Sequence, residues 1–299
     1  MPYHKPVLLS QSIDGLKINP DGIYVDLTFG GGGHAHAILD CLQNGKLIAF
    51  DQDEDALENC IEDKRFIFIN HNFRFLKHFL VYYNIEKIDG IFGDLGVSSH
   101  QFDSSDRGFS FRWEQSHLDM RMNRKVDFTA RDVVNSYNEK RLEEVLHQYG
   151  ELDNARRIAE KVVKRREAKT IETIDDLTGI LSDQAPRNRE NKFMAKVFQA
   201  LRIEVNKEME SLKHVLNQSV NVLSKGGRLV IISYHSLEDR MVKNFIRSGN
   251  FAGNIEKDFF GNAKTPFKQV NRKPIVPDSK EIEKNNRARS AKLRIAEKI

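Results

Sequence analysis

Residues 25–39 read VDLTFGGGGHAHAIL: an apolar run ending in an acid, four consecutive glycines, a histidine, then small apolar residues at helical spacing. Glycines let a backbone turn sharply and approach a ligand with no Cβ in the way. The helix that follows opens with N–H groups that have no partner within the helix. Such a junction restricts the chain to a strand–turn–helix unit, built either around a ligand or simply as a tight connection. Gly30, Gly32 and Ala35 satisfy the GxGxxG/A pattern of dinucleotide sites, a match that is weak alone.

The first hundred residues extend this unit into a sheet. GIYVDL, KLIAFD, RFIFIN and KIDGIFGDLG are short, rich in β-branched and aromatic residues, and separated by segments of helical length. That alternation predicts βαβ units and a parallel sheet. A fifth strand, GRLVIIS at 227–233, follows the Gly226-Gly227 turn. Between the fourth and fifth strands the pattern changes to helical periods. Leu142, Val145, Leu146 and Tyr149 recur at i, i+3, i+4 and i+7 and stop at Gly150; Ala155, Ile158, Ala159, Val162 and Val163 repeat the pattern. Thr173 and Asp176 resemble a capping box before Leu177, Ile180 and Leu181. A long helix is expected from Phe193 towards Lys225. The fold class is therefore α/β, a Rossmann-like sheet with an inserted all-α domain. The expected boundaries are 1–105 for the first part of the sheet domain, 106–215 for the helical insert, and 216–299 for the second part with its basic C-terminal segment.

Composition narrows the setting. With 30% charged residues, and no run near the roughly 18 apolar residues of a membrane span, a cytoplasmic protein without a membrane partner is expected. MPYHKPVLLSQS lacks the order of a signal peptide. Cys41 and Cys60, the two cysteines, suit neither a disulfide framework nor a zinc ribbon. The net charge of +4 is unevenly spread. Residues 263–299 hold eleven basic residues against four acidic ones, so the remainder of the chain carries −3. A second cluster comprises Arg156, Arg157, Lys161, Lys164, Arg165, Arg166 and Lys169. Concentrated basic charge suits a polyanion, although a solvated helix face and a frayed tail would look the same.

The strand ends supply candidate site residues. Asp51 closes the second strand about twenty residues beyond the glycines, where an acid bonds ribose hydroxyls; NAD and S-adenosylmethionine both carry that ribose. Phe73, after the third strand, could pack on an adenine or be ordinary core. The fourth strand ends in FGDLGVSSHQF, placing Asp94 beside the topological switch point and Ser98 in the exposed turn beyond it. An acid, a glycine and two serines suit the polar edge of a substrate better than a hydride channel.

Seven motifs in this order then resemble one family: TFGGGGH, DLGVSS, RGFSF, LDMRM, VFQALRIEVN, SYHSLEDR and RARSAKLR. They are similar to those of the bacterial ribosomal RNA small-subunit methyltransferase H family, over nearly the whole chain from HKPVLL at residue 4 to Arg294. The resemblance implies S-adenosyl-L-methionine as cofactor and the exocyclic N4 amine of a cytidine in 16S rRNA, within the decoding region of the 30S subunit, as target. It implies that Gly32, Gly33 and His34 line the methionine end of the cofactor, that Asp51 takes the ribose, that Phe73 lies at the adenine, and that Asp94 with Gln101 closes the pocket. The chain departs from the family in His100, where proline follows the serines, in NKFMAK, where a His-Pro-Ala-Thr type stretch is usual, and in Tyr234, where phenylalanine is common. These departures fall on the substrate side.

The chemistry asks for alignment rather than a covalent nucleophile. Cytosine N4 is a poor nucleophile, and acceptors at the amine would favour its pyramidal, attacking form. Asp94, Ser98 and His235 are the expected catalytic residues, His235 having an equally good reading as a hydrogen-bonded structural histidine. His235, Glu238 and Asp239 offer ligand types for a metal but no second cluster completes a site, so none is expected. Methylation at C5 would need a cysteine, and neither Cys41 nor Cys60 lies near the fourth-strand turn. The two basic clusters, with Arg121 and Arg124, would grip phosphates. The alternatives are an NAD-dependent oxidoreductase, with no use for the basic clusters, and a catalytically silent ribosome-assembly RNA-binding protein, with no use for the glycines. A DNA amino-methyltransferase would show an aromatic Pro-Pro motif in place of DLGVSS. Nothing in the sequence decides whether a homodimer forms.

Overall fold

The computed structural model describes residues 6–261 and 264–299. His4 and Lys5 of the HKPVLL motif, and Ala263 at the head of the basic segment, lie outside the described residues. Two units result: Met1–Gly96 together with Met209–Ile299, and Val97–Glu208. The sequence places the helical segment at 106–215; the structure begins it at residue 97 and ends it at residue 208.

The first unit is built on seven strands: β1 (Ile23–Asp26), β2 (Lys46–Phe50), β3 (Phe66–Ile69), β4 (Ile88–Asp94), β5 (Leu223–Ser233), β6 (Phe267–Gln269) and β7 (Lys292–Lys298). Their order is β3-β2-β1-β4-β5-β7-β6. β3, β2, β1, β4 and β5 run parallel, whereas β7 is antiparallel to both β5 and β6. Successive residues of a strand face opposite sides, and the core divides accordingly. Val25, Leu27, Ile48, Phe50, Ile91, Leu229 and Ile231 join one cluster. Tyr24, Leu47, Ala49, Phe92, Val230 and Ile232 join the other. Helices cover both: Leu9–Leu16 and Gly33–Cys41 supply the second cluster, and Leu76–Tyr82, Glu208–Val222 and Ser236–Ser248 the first. A parallel sheet buried on both faces in this way is a doubly wound, Rossmann-like fold.

The basic C-terminal segment is not a frayed tail. β7 lies between β5 and β6, and Leu293 and Ile295 are buried in one core cluster while Ala296 joins the opposite one. Strand order reverses between β1 and β4, so their carboxyl ends, at Asp26 and Asp94, lie side by side at the switch point.

The second unit is helical. Helices Ala130–Ser136, Glu139–Gly150, Ala155–Ala168, Ile174–Leu181 and Glu190–Asn206 bury one common core containing Leu142, Ile158, Leu177 and Leu201. Thr173 and Asp176 form the expected capping box, joined by a second at Thr129 and Asp132. The long helix expected from Phe193 is two helices: the first ends at Asn206, Lys207 takes a left-handed φ of 50°, and a new helix begins at Glu208. No helix among the described residues is long and apolar enough to cross a membrane.

Candidate active site

The glycine loop is held in shape by the strands around it. Gly30 and Gly32 have φ of 51° and 74°, in the left-handed region that a side chain opposes. At Gly32 a Cβ would also stand 3.2 Å from the Phe29 ring. At Gly30 nothing lies within 4 Å of where a Cβ would be, so the backbone faces open space. The Gly30 N–H donates to Asp51 Oδ2 at 2.8 Å, and the Asp53 N–H to Asp51 Oδ1 at 2.9 Å. Asp51 therefore fixes the loop after β1 from the end of β2. Asn70, at the end of β3, donates to the Asp51 carbonyl at 3.0 Å, so three adjacent strand ends are laced together.

Two carboxyls occupy the switch point. Asp26 ends β1 fully buried; its Oδ1 accepts from the Thr28 N–H at 2.9 Å, while its Oδ2 is buried without a hydrogen-bond partner among the described residues. Asp94 ends β4, its N–H donating to Thr28 Oγ1 at 2.7 Å, and its Oδ1 is likewise buried and partnerless among the described residues. Burial raises the Asp26 pKa from 3.8 to about 7, against the Thr28 N–H and with the Asp51 charge. Burial raises Asp94 from 3.8 to about 7 as well; a side-chain hydrogen bond with Tyr234 opposes the rise, and the charges of Asp26 and Glu238 add to it. Tyr234, just beyond β5, is itself raised well above its usual pKa, chiefly by burial and then by Asp94. Asp26 and Tyr234 are the participants that sequence reasoning did not nominate, although an acid ending the strand before the glycines is a legible signal.

His34, on the first turn of the helix after the loop, is buried, and its ring lies 4.4 Å from that of Phe92. Its Nε2 is 3.0 Å from the Val7 carbonyl, which only accepts, so Nε2 carries the proton. Burial lowers its pKa to about 4. Phe73 opens a short 3-10 helix after β3, half-buried against the core beneath it. His235 follows Tyr234 as N-cap of the helix Ser236–Ser248: its Nδ1 accepts from the Glu238 N–H at 3.4 Å, and Glu238 Oε2 accepts from the N–H groups of Tyr234 and His235. Its Nε2 stands 3.1 Å from Glu238 Oε1. That is the capping geometry of a structural histidine.

In the second unit, Ser98 and Gln101 form a reciprocal capping box, the Ser98 N–H donating to Gln101 Oε1 at 3.0 Å and the Gln101 N–H to Ser98 Oγ at 3.1 Å. Three of the recognised motifs form one knot here. Arg107 of RGFSF is buried and donates to the carbonyls of Arg121 and Met122 in LDMRM. Asn206 of VFQALRIEVN accepts from the Met122 N–H and donates to the Met120 carbonyl, both at 2.7 Å.

The basic residues expected to grip phosphates divide into two groups. Arg121 forms a two-pronged pair with Asp119, and Arg124 pairs with Asp106. On the helix Ala155–Ala168, Arg156 pairs with Glu160, Lys161 with Asp183, and Arg166 donates to the Val134 carbonyl; Lys169, just beyond its end, pairs with Asp176. Arg157, Lys164 and Arg165 are exposed and carry no ion pair among the described residues. In the C-terminal segment Arg294 is buried against Asp239 at 2.6 Å, with Lys292 3.6 Å from the same carboxyl. Because β7 enters the sheet, Arg294 is buried and its charge is already met by Asp239.

A family model described as the MraW methylase family matches residues 1–299. The Ribosomal RNA small subunit methyltransferase H of Bacteroides thetaiotaomicron is 57% identical over 297 residues, covering 99% of this chain and 97% of that protein. The protein of the same name from Cytophaga hutchinsonii is 55% identical over 298 residues, covering 99% of each chain. Among solved structures, an rRNA methylase from Streptococcus thermophilus aligns over 97% of this chain and 95% of that one at 14% identity, with a TM-score of 0.44.

Proposed function

This chain belongs to the MraW methylase family, and on that premise we propose that it methylates the exocyclic N4 amine of a cytidine in 16S rRNA, in the decoding region of the small subunit. It is an S-adenosylmethionine-dependent methyltransferase, as its relatives' shared name and the methylase family indicate. The reading places it in the cytoplasm, where small subunits are found.

The residues present fit that cofactor. A bare backbone facing open space at Gly30 leaves room for it beside the loop, and the partnerless buried Oδ2 of Asp26 suits a cofactor bearing a sulfonium and an ammonium group. When bound, S-adenosylmethionine supplies a methyl group on positively charged sulfur. Gly32, Gly33 and His34 would line its methionine end, Asp51 would take the ribose while holding the loop, and Phe73 would lie at the adenine. His34, neutral and tied to Val7, acts there as a packing wall rather than as a charge.

The observation that carries the substrate reading is Asp94 Oδ1, buried at the switch point with no partner among the described residues. Asp94 Oδ1 accepts a hydrogen bond from the N4 amine, which favours the pyramidal nitrogen whose lone pair can attack. The sulfur–methyl bond would break, its electron pair staying on sulfur as a neutral thioether, as the nitrogen–methyl bond forms, and Asp94 would take the proton that the cationic nitrogen releases; a pKa of about 7 suits a base at neutral pH. Ser98 and Gln101 cap the short helix that begins at Ser99, and His235 caps the helix that follows β5. Arg157, Lys164 and Arg165 hold backbone phosphates.

Nucleoside mass spectrometry of 16S rRNA tests the target. Small subunits lacking the modification are incubated with the protein and S-adenosylmethionine. N4-methylated cytidine is the expected product; methyl groups on another nucleoside would discard the target, and none at all would discard the activity.

A further inference from the structure

Phe259 and Phe260 are 97% and 84% exposed, the most exposed large apolar side chains among the described residues. They lie on the connection between the helix Ser236–Ser248 and β6, away from either core cluster of their unit. The turn that carries them is ordered by its own hydrogen bonds. The Phe260 N–H donates to Asp258 Oδ1 at 2.9 Å, the Gly261 N–H to the Asp258 carbonyl at 3.0 Å, and Gly261 has φ of 84°. The Lys264 N–H donates to the Glu256 carbonyl at 2.8 Å. The two rings meet edge to face, centroids 5.6 Å apart and planes at 87°. Each ring therefore keeps a flat face turned outward.

Adjacent phenylalanines held this far into solvent mark a contact surface. Its chemistry follows from what surrounds it. Lys257, Lys264, Lys268, Arg272 and Lys273 are all exposed in this stretch, and none forms an ion pair among the described residues; Glu256 and Asp258 are the acids among them. Flat aromatic faces interleaved with unpaired cations match unpaired nucleobases on a polyanionic backbone: bases stack on the rings and phosphates meet the lysines. A second copy of this chain would bring the same cations against these ones.

We propose that Phe259 and Phe260 form a stacking platform for unpaired bases of the RNA substrate. The inference rests on the rRNA reading above and adds to it a second contact surface, on the sheet-bearing unit. Stacking contributes enough per base that loss of each ring weakens RNA binding about tenfold.

The test compares Phe259→Ala/Phe260→Ala with Phe259→Leu/Phe260→Leu and Phe259→Trp/Phe260→Trp. Each is titrated against a labelled single-stranded 16S rRNA fragment, the same fragment in a full duplex, and vesicles of anionic phospholipid, with cofactor affinity measured by calorimetry. The rings are outside the core, so all variants should fold with wild-type thermal midpoints. Expected are a loss of tenfold or more in single-strand affinity for the alanine and leucine variants, recovery with tryptophan, little change on duplex, and an unchanged salt slope and cofactor affinity. A leucine variant that binds as wild type would overturn stacking. Wild-type binding to vesicles that is lost in the alanine variant, with RNA binding retained, would assign the rings to a membrane surface instead. If all variants bind and methylate RNA equally, the platform fails while the methyltransferase stands; if wild type neither binds nor methylates RNA, both fall.

Discussion

Asp51 Oδ2 accepts the Gly30 N–H at 2.8 Å, so the acid at the end of β2 holds the glycine loop at the end of β1. One residue thus shapes the glycine loop and, in the proposed function, also meets the ribose. Gly30 and Gly32 share a left-handed backbone but differ in what surrounds them, and this difference can be measured.

Gly32→Ala forces a Cβ against Phe29 as well as into an unfavourable φ, and should cost about 2 kcal/mol of stability. Gly30→Ala meets only the backbone term, about 1 kcal/mol. The Gly30 variant should therefore fold yet lose S-adenosylhomocysteine affinity by tenfold or more, read by calorimetry, because its new methyl group projects into the space assigned to the cofactor. Wild-type affinity in that variant would place the cofactor elsewhere.

Asp26 gives a pH prediction. Its folded pKa of about 7 lies above the ordinary 3.8, so between those values the folded protein holds a proton that the unfolded chain has released. Its contribution to stability is full below about pH 4 and falls as pH rises through 7. Asp26→Asn cannot ionise and keeps an oxygen for the Thr28 N–H. Its thermal midpoint relative to wild type should be higher at pH 8 than at pH 5, by roughly 3–6 °C in a ligand-free protein. An offset independent of pH would show that Asp26 is not the group responsible.

The exposed cations of the helical unit predict a salt response. Neutralising Arg157, Lys164 and Arg165 together should reduce the slope of log affinity against log salt by about 2 for single-stranded RNA. Arg166→Ala should instead lower stability, because it releases the Val134 carbonyl, and leave that slope unchanged. Equal slopes for the triple variant and wild type would remove this helix from the interface.

Arg294 is expected to act on the fold. Its removal leaves the half-buried Asp239 with only the more distant Lys292, so Arg294→Ala should cost about 2 kcal/mol, read as a lower denaturation midpoint. A stable variant with weakened RNA binding would reverse that assignment.

How far the sequence alone carried depended on whether a signal was local. β1 to β5 are apolar runs bounded by turns, and the glycine loop announces its own geometry. KLRIAEK carries the alternation of a half-buried strand at Leu293 and Ile295, but it sits in a segment so rich in basic residues that it reads first as a solvated tail; pairing with β5 buries Leu293 and Ile295 on one face and leaves Arg294 to Asp239 on the other. The helix break at Lys207 carries no glycine or proline, and Asn206 gives no local sign of the contacts it makes with LDMRM. His235 reads from the sequence equally as a catalytic or a structural histidine; the structure makes it the N-cap of its helix, with Glu238 three residues on. Whether a cation in the basic helix is free depends on residues distant in sequence, such as Asp183 for Lys161.

The most direct test is a single-turnover assay of labelled methyl transfer from saturating S-adenosylmethionine to small subunits lacking the modification, comparing wild type with Asp94→Ala. The account predicts that wild type places label in 16S rRNA as N4-methylated cytidine, and that transfer by the variant falls by at least a hundredfold, roughly what removing one positioned proton acceptor costs. Transfer at the wild-type rate by the variant, with the same nucleoside labelled, would contradict it: the partnerless oxygen at the switch point would then have no part in the chemistry.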